Sequence, residues 1–256
     1  MPTQTLWMQR IGAGRPVLLL HPLALSSRIW GGFAEALARE FEVWLIDLRG
    51  HGRSGWDGSP FSIADMAGDV EALLDQADVP RVGVVGMSMG GSVALVLAAS
   101  QPHRIGSMVV ADTTAWYGAS RVDDWNKRAE DALRSPRTAL LDFQIPRWFT
   151  ESFRERCPEI VDDICAEFLA TDPRLHAFAC KALGGLDARP LLSTIMAPTL
   201  VMVGAEDYAT PPSMARALAA AIPAAELQIV DRVRHLSLVE SDGLAENAAI
   251  HLQHHL

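Results

Sequence analysis

The sequence predicts one α/β domain whose parallel sheet is covered by helices on both sides. Two observations support this prediction. Short apolar runs alternate with helical patterns through the first half of the chain, and the alternation resumes after Pro190. Between residues 113 and 192 only helical patterns are found. We therefore expect a core made of residues 1–112 and 193–256, with residues 113–192 inserted into it as a helical cap.

Six segments have the short apolar composition of buried strands. They are residues 17–20, 42–46, 81–86, 105–111, 199–203 and 226–230. The segments between them are predicted to be helices, at residues 33–38, 62–76, 90–100 and 211–221, with a last helix from Glu240. The cap is predicted to contain four helices separated by prolines and by Gly184-Gly185, at residues 123–133, 136–143, 158–169 and 173–183.

Composition excludes several classes of protein. The net charge of −9 disfavours nucleic-acid binding, which needs clustered Lys and Arg. Apolar runs such as residues 17–20 are too short to cross a bilayer, and the N-terminus lacks a signal-peptide pattern. The three cysteines, Cys157, Cys165 and Cys180, have no C-x-x-C spacing, which argues against a disulfide framework or a zinc site. We expect a cytoplasmic protein that binds a small molecule, without a metal.

Residues 86–90, Gly-Met-Ser-Met-Gly, fit the pattern G-x-S-x-G between a predicted strand and a predicted helix. A serine in such a tight turn needs small neighbours, and its hydroxyl projects above the sheet edge. The helix that begins there directs free N–H groups toward a developing anion. The alternative is a glycine-rich turn of a nucleotide-binding unit, but the G-x-G-x-x-G spacing is missing. We therefore predict that Ser88 is a nucleophile.

A nucleophilic serine needs a base, and the base needs a group that orients it. Of eight histidines, His235 is the one in the third place of the chain order Ser, Asp, His. For the acid, Asp207 follows the strand predicted at 199–203, and its neighbour Glu206 is the alternative. The position of Asp207 relative to the strand end and to Pro211 favours it. Either carboxylate can instead cap the helix at Pro211.

Attack on an ester produces an oxyanion, which needs preorganised hydrogen-bond donors. One predicted donor is the backbone N–H of Met89, directly after the nucleophile. The other comes from the loop after the first predicted strand. Pro22 has no N–H, so Leu23 is the predicted donor in that loop, although Leu23 can also be a core residue at a strand end.

With these motifs the chain resembles the α/β-hydrolase superfamily over nearly its whole length. The resemblance rests on His21-Pro22 followed by Trp30, residues 47–54 (Asp-Leu-Arg-Gly-His-Gly-Arg-Ser), 86–91 (Gly-Met-Ser-Met-Gly-Gly), 204–207 (Gly-Ala-Glu-Asp) and 234–237 (Arg-His-Leu-Ser). It implies the α/β-hydrolase fold, a mostly parallel sheet flanked by helices with an inserted cap. It also implies a triad of Ser88, Asp207 and His235.

Within that superfamily the chain is most similar to the 3-oxoadipate enol-lactonases. Two departures from their pattern are Pro22, where glycine is common, and Arg234, where a small residue is usual. The shared motifs are residues 112–116 (Asp-Thr-Thr-Ala-Trp), 125–128 (Trp-Asn-Lys-Arg), 147–150 (Arg-Trp-Phe-Thr), 170–173 (Ala-Thr-Asp-Pro), 198–200 (Pro-Thr-Leu), 209–212 (Ala-Thr-Pro-Pro), 235–237 (His-Leu-Ser) and Glu240.

This second resemblance implies hydrolysis of a small carboxylated lactone in aromatic-compound catabolism (the β-ketoadipate pathway), through an acyl-enzyme and without a cofactor. The substrate carboxylate needs a cation, and the ring needs an apolar wall. In the cap, Arg128 and Arg147 are candidates for the first role, and Trp116 and Trp148 for the second. The alternative is that these tryptophans serve packing and the arginines are surface charges.

Other activities use the same three residues. A general carboxylesterase, another lactonase, or a carbon–carbon bond hydrolase of ring-cleavage products are the alternatives. A non-catalytic ligand binder with this fold is disfavoured by the complete Ser, Asp and His set. Nothing in the sequence indicates a nucleic-acid or membrane partner, and a homo-oligomer remains open.

Overall fold

A computed structural model describes residues 5–256, which contain a seven-stranded sheet in the order β1-β3-β2-β4-β5-β6-β7. β1 is antiparallel to β3, and all other neighbours are parallel. The predicted mostly parallel sheet is confirmed. The strands are β1 (Trp7–Gly12), β2 (Pro16–Leu20), β3 (Glu42–Asp47), β4 (Val82–Met87), β5 (Ile105–Ala111), β6 (Thr199–Gly204) and β7 (Ala225–Val230).

Successive residues of a strand point to opposite faces of the sheet, and both faces are covered here. In β2, Leu18 and Leu20 pack into one apolar layer, whereas Val17 and Leu19 pack into the layer on the other side. All four side chains are fully buried. Because both faces of the central strands are buried, their sequences are continuous apolar runs.

The core helices surround this sheet. They are α1 (Gly31–Leu37), α2 (Ile63–Gln76), α3 (Met89–Ser100), α9 (Pro212–Ala221), α10 (Ser237–Glu240) and α11 (Leu244–His255). Between β5 and β6 lie the cap helices α4 (Arg121–Arg134), α5 (Arg137–Trp148), α6 (Glu151–Arg156), α7 (Pro158–Ala170) and α8 (Pro173–Gly184). Two 3₁₀ helices, Ser27–Trp30 and Arg189–Thr194, precede α1 and β6. The sheet therefore includes strands from both sides of the cap helices.

The structure differs from the sequence-based expectations at β1, α6 and α5, and the last helix begins at Leu244 instead of Glu240, where the separate short helix α10 ends. β1 was not predicted because it is a partly exposed edge strand that includes Gln9 and Arg10. α6 was not predicted, since six residues show too little periodicity. Pro146 was expected to separate helices but lies inside α5, which continues to Trp148. Proline there removes one helical hydrogen bond, and the end of α5 is instead held by contacts to the loop that follows β7.

Residues 5–256 contain neither a candidate membrane-spanning helix nor a candidate metal cluster. No helix in this range is long and apolar enough to cross a membrane. No group of three or more His, Cys, Asp or Glu side chains in the same range is arranged to hold a metal ion.

Candidate active site

Ser88 lies in the turn between β4 and α3 with φ of 53° and ψ of −117°. This conformation requires glycine at two neighbouring positions. A Cβ on Gly86 would lie 2.5 Å from the carbonyl oxygen of Gly90, and one on Gly90 would lie 2.0 Å from that of Leu20. The close approach places the N-terminus of α3 against the end of β2. The G-x-S-x-G pattern is thus a steric requirement of this turn.

His235 connects Ser88 and Asp207. Its Nε2 lies 2.9 Å from Ser88 Oγ, and its Nδ1 lies 2.8 Å from Asp207 Oδ2. Because the carboxylate accepts, Nδ1 carries the proton and Nε2 is free to accept the serine proton. The Glu206 side chain is 46% exposed and lies 3.6 Å from the Arg234 guanidinium. The structure therefore brings Asp207, and not Glu206, to the histidine.

Asp207 is oriented by the turn that leads into α9. Its Oδ1 accepts hydrogen bonds from the N–H groups of Ala209 at 2.7 Å and Thr210 at 3.0 Å. The Thr210 hydroxyl donates to Oδ2 at 2.8 Å and lies 3.3 Å from His235 Nδ1. No role was predicted for Thr210; the signal in the sequence is the aspartate itself, whose side chain commonly accepts from backbone N–H groups of the turn that follows it.

His235 and Asp207 shift each other's pKa in opposite directions. Burial by itself lowers the pKa of His235, but the charge of Asp207 and the hydrogen bond to it outweigh this effect, so the pKa is raised above 6.5. Burial likewise opposes ionisation of Asp207, yet the charge of His235 and the hydrogen bonds from His235 and Thr210 hold its pKa below the ordinary value. The pair is thus arranged to stabilise a protonated imidazole next to a carboxylate.

A second buried carboxyl, Asp112, lies close to these groups at the end of β5. It is fully buried, and its two oxygens accept hydrogen bonds from the N–H of Gly204 at 3.1 Å and of Ser237 at 2.9 Å. Burial and the negative charge of Asp207 raise the pKa of Asp112 to about 8. In this way Asp112 connects the end of β6 to the segment after His235. Sequence reasoning noted its motif but gave it no role.

The predicted oxyanion donors lie on two segments that are in contact. Met89 begins α3, so its N–H has no partner within the helix. The loop with Leu23 is ordered by His21, whose Nε2 accepts from Leu48 N at 2.9 Å and whose Nδ1 donates to the Pro22 carbonyl at 2.8 Å. Burial lowers the pKa of His21 to about 4, so its ring is neutral at neutral pH.

The guanidinium groups of the two candidate arginines of the cap both lie near one aromatic ring, that of Phe143. The guanidinium of Arg128 is 5.6 Å from the Phe143 ring centroid, and that of Arg147 is 4.7 Å from it. Arg147 is also 4.9 Å from the Tyr208 ring, and its carbonyl accepts from His235 N at 3.3 Å. Burial and the charge of Arg128 lower the pKa of Arg147. Within residues 5–256, neither guanidinium has a carboxylate within 4.0 Å.

The two candidate tryptophans occupy different places. Trp148 is 5% exposed and packs edge-on against Phe168 at 5.4 Å, inside an apolar layer of the protein. Trp116 is half-buried, with the Arg189 guanidinium 3.8 Å from its ring centroid. It lines a cavity of about 410 Å³ next to α9, and none of Ser88, Asp207 and His235 lines that cavity. Among residues 5–256, neither ring forms a hydrogen bond or a ring–ring contact with Ser88, Asp207 or His235.

Comparison with known proteins agrees with this geometry. The sequence profile of the alpha/beta hydrolase fold family matches residues 15–242. The chain belongs to the α/β-hydrolase family. A curated relative, 3-oxoadipate enol-lactonase 2 of Acinetobacter baylyi, is 32% identical over 229 residues, which are 89% of this chain and 85% of the enol-lactonase. The resemblance stated from the sequence motifs is thereby confirmed.

Further relatives of this α/β hydrolase share the fold and differ in their substrates. The crystal structure of the enol-lactonase from Burkholderia xenovorans LB400 superposes with a TM-score of 0.91 at 32% identity, covering 98% of this chain and 97% of that protein. Pimeloyl-[acyl-carrier protein] methyl ester esterase of Edwardsiella ictaluri is 28% identical over 244 residues, 91% of this chain and 92% of the esterase. These similarities therefore establish the family of the chain but do not identify its substrate.

Proposed function

We propose that this α/β hydrolase is a serine hydrolase that opens a small carboxylated lactone of the 3-oxoadipate enol-lactone type. The observation that carries the proposal is the continuous set of contacts from Ser88 Oγ through His235 to Asp207, at 2.9 and 2.8 Å. This arrangement activates a serine for attack on a carbonyl carbon. The similarity to two enol-lactonases supports the choice of a lactone.

In the proposed reaction Ser88 Oγ attacks the lactone carbonyl while His235 Nε2 takes the serine proton. The resulting oxyanion accepts hydrogen bonds from the N–H groups of Met89 and Leu23. Collapse of this intermediate breaks the ring C–O bond, and protonated His235 gives its proton to the enolate, which remains part of the acyl-enzyme and becomes a ketone. His235 then removes a proton from water, whose oxygen attacks the acyl-enzyme and frees Ser88.

The proposed carboxylate site is formed by Arg147 and Arg128. Arg147 is half-buried, carries a charge without a carboxylate partner among the described residues, and interacts electrostatically with His235. A half-buried cation without a carboxylate partner is stabilised when an anion binds next to it. The lactone carboxylate would therefore lie on the cap side of the base. Trp148, which packs in the interior, is proposed to shape the cap and not to face the substrate.

Steady-state kinetics on a panel of substrates tests the proposal. We expect a higher kcat/KM with 3-oxoadipate enol-lactone than with simple aryl esters, other lactones or a vinylogous diketone. Efficient cleavage of aryl esters without opening of the enol-lactone would instead support a general carboxylesterase. Cleavage of the diketone would support a carbon–carbon bond hydrolase. No turnover of any of these substrates would favour a ligand binder and contradict the proposal.

Replacement of Arg147 by methionine is expected to weaken binding of carboxylated substrates selectively. Loss of a charge-assisted hydrogen bond should raise KM for the carboxylated lactone about tenfold, with little change for a neutral ester of similar size. Arg134→Met is the matched control, since that side chain is 79% exposed on α4. Equal effects of Arg147→Met on both substrates would contradict the proposed carboxylate site.

The proposed reaction requires neutral His235 in the free enzyme, so activity should depend on pH through its raised pKa. Above that pKa the base is available, and kcat/KM should fall as the pH decreases through a value higher than 6.5. Measurement of kcat/KM between roughly pH 5 and 9 gives the acid limb of the pH profile, from which this pKa is read. A limb that lies at or below the ordinary pKa of histidine would show that Asp207 does not stabilise the protonated ring.

We place the reaction in the cytoplasm as part of the same proposal. Cys157, Cys165 and Cys180 are all unpaired, as expected in a reducing compartment. Cell fractionation followed by detection of the protein measures this location, and recovery in a membrane or extracellular fraction would contradict it.

A further inference from the structure

The segment that carries the base, residues 234–237 (the base segment), is bonded to the cap as well as to the core. On the core side, Ser237 N donates to Asp112 at 2.9 Å. On the cap side, His235 N donates to the Arg147 carbonyl at 3.3 Å and Leu236 N donates to the Trp148 carbonyl at 3.1 Å. The backbone of the base is therefore attached to the last turn of α5.

Glu240 joins the same two elements through its side chain. It lies in α10 and is only 6% exposed. Its Oε2 accepts from Arg234 N at 2.8 Å, and its Oε1 accepts from Thr150 N at 2.9 Å and from the Thr150 hydroxyl. One carboxylate thus connects the residue before His235 to the residue that caps α6. A buried carboxylate is tolerated because these donors replace its hydration.

The Arg234 side chain also connects the base segment to the end of α5. Its Nη1 donates to the carbonyls of Pro146 and Phe149, which flank the end of α5. Together with Glu240, these bonds connect both the backbone and the side chain of Arg234 to the cap. A movement of residues 146–150 must therefore displace the base segment or break several hydrogen bonds.

We propose that Glu240 is a positioning residue, which holds the His235 ring in line with Ser88 by fastening the base segment to the cap at Thr150. The inference rests on the proposed serine-hydrolase chemistry and adds a residue to it. The Glu240 carboxylate is hydrogen-bonded to Thr150 and to Arg234 N, not to Ser88 or the His235 ring, and so acts through the backbone of Arg234. Its effect should appear in the chemical step, because proton transfer depends on the alignment of Ser88 Oγ with Nε2.

Replacement of Glu240 by glutamine tests this role with p-nitrophenyl acetate, a small neutral ester that has no carboxylate for the cap arginines. Glutamine has one acceptor oxygen and one donor group, so either Arg234 N–H or Thr150 loses its partner. We expect kcat to fall about tenfold while KM changes by less than about twofold. Glu246→Gln, on the exposed face of α11, is the matched control and should retain the wild-type kcat and KM.

A double-mutant cycle with Thr150→Val tests the route of the effect. If Glu240 acts through Thr150, the double variant should lose less activity than the product of the two single effects. Full multiplication of the effects would show that the connection to the cap is wrong. A wild-type kcat in Glu240→Gln, even with a lowered unfolding temperature, would reduce Glu240 to a structural role. A wild-type protein that neither turns over esters nor reacts with a fluorophosphonate would instead refute the proposed function.

Discussion

Replacement of Ser88 by alanine is expected to lower kcat for every ester and lactone by about 10⁴-fold or more. The substitution removes the only oxygen that lies within hydrogen-bond distance of His235 Nε2 among the contacts of residues 5–256. Without it, no acyl-enzyme forms, and only weak catalysis by oriented water remains. Burst and steady-state kinetics on an aryl ester measure the loss. The fold should persist, because alanine leaves the glycine contacts of the turn intact.

Ser100→Ala is the control for this experiment, since Ser100 is an exposed residue at the other end of α3 and its hydroxyl contacts only a carbonyl of its own helix. It should retain wild-type kinetics. A fluorophosphonate probe should label the wild-type and Ser100→Ala proteins but not Ser88→Ala. Labelling of all three would show that another residue is the nucleophile.

Replacement of Asp207 by alanine is expected to lower kcat by about 10⁴-fold. The substitution leaves His235 Nδ1 without the carboxylate that selects its tautomer and stabilises the protonated ring. The pKa of His235 should also fall, so the acid limb of the pH profile should move to lower pH. Steady-state kinetics over a range of pH measure both effects.

Glu206→Ala distinguishes the two adjacent carboxylates that the sequence left as alternatives. Its exposed side chain contacts only the Arg234 guanidinium, at 3.6 Å, and the loss of such a pair should change kcat by less than about fivefold. Asp112 should not replace Asp207 in the alanine variant, because its oxygens already accept from Gly204 and Ser237. A larger loss in Glu206→Ala than in Asp207→Ala would reverse the assignment.

Local patterns in the sequence were enough to predict the elements that form the sheet and the turn at Ser88. Buried parallel strands are apolar on both faces, so β2 and β4 are recognisable without knowledge of their neighbours. β1 escaped prediction because an edge strand is only half-buried and its apolar signal is weak. The continuation of α5 past Pro146 escaped it as well, since contacts distant in sequence, from Arg234, hold that turn.

The sequence by itself determined the fold class and predicted the chemistry proposed for this protein. Ser88 is recognisable because its turn requires glycine two residues before it and two residues after it, and His235 is recognisable from chain order. The tertiary structure alone decided which carboxylate faces His235, since Asp207 and Glu206 are adjacent in sequence and their side chains point to different partners. It also decided that Trp148 packs inward and that Glu240 meets Thr150. Contacts between residues ninety positions apart leave no local pattern, because they depend on how the cap folds onto the core.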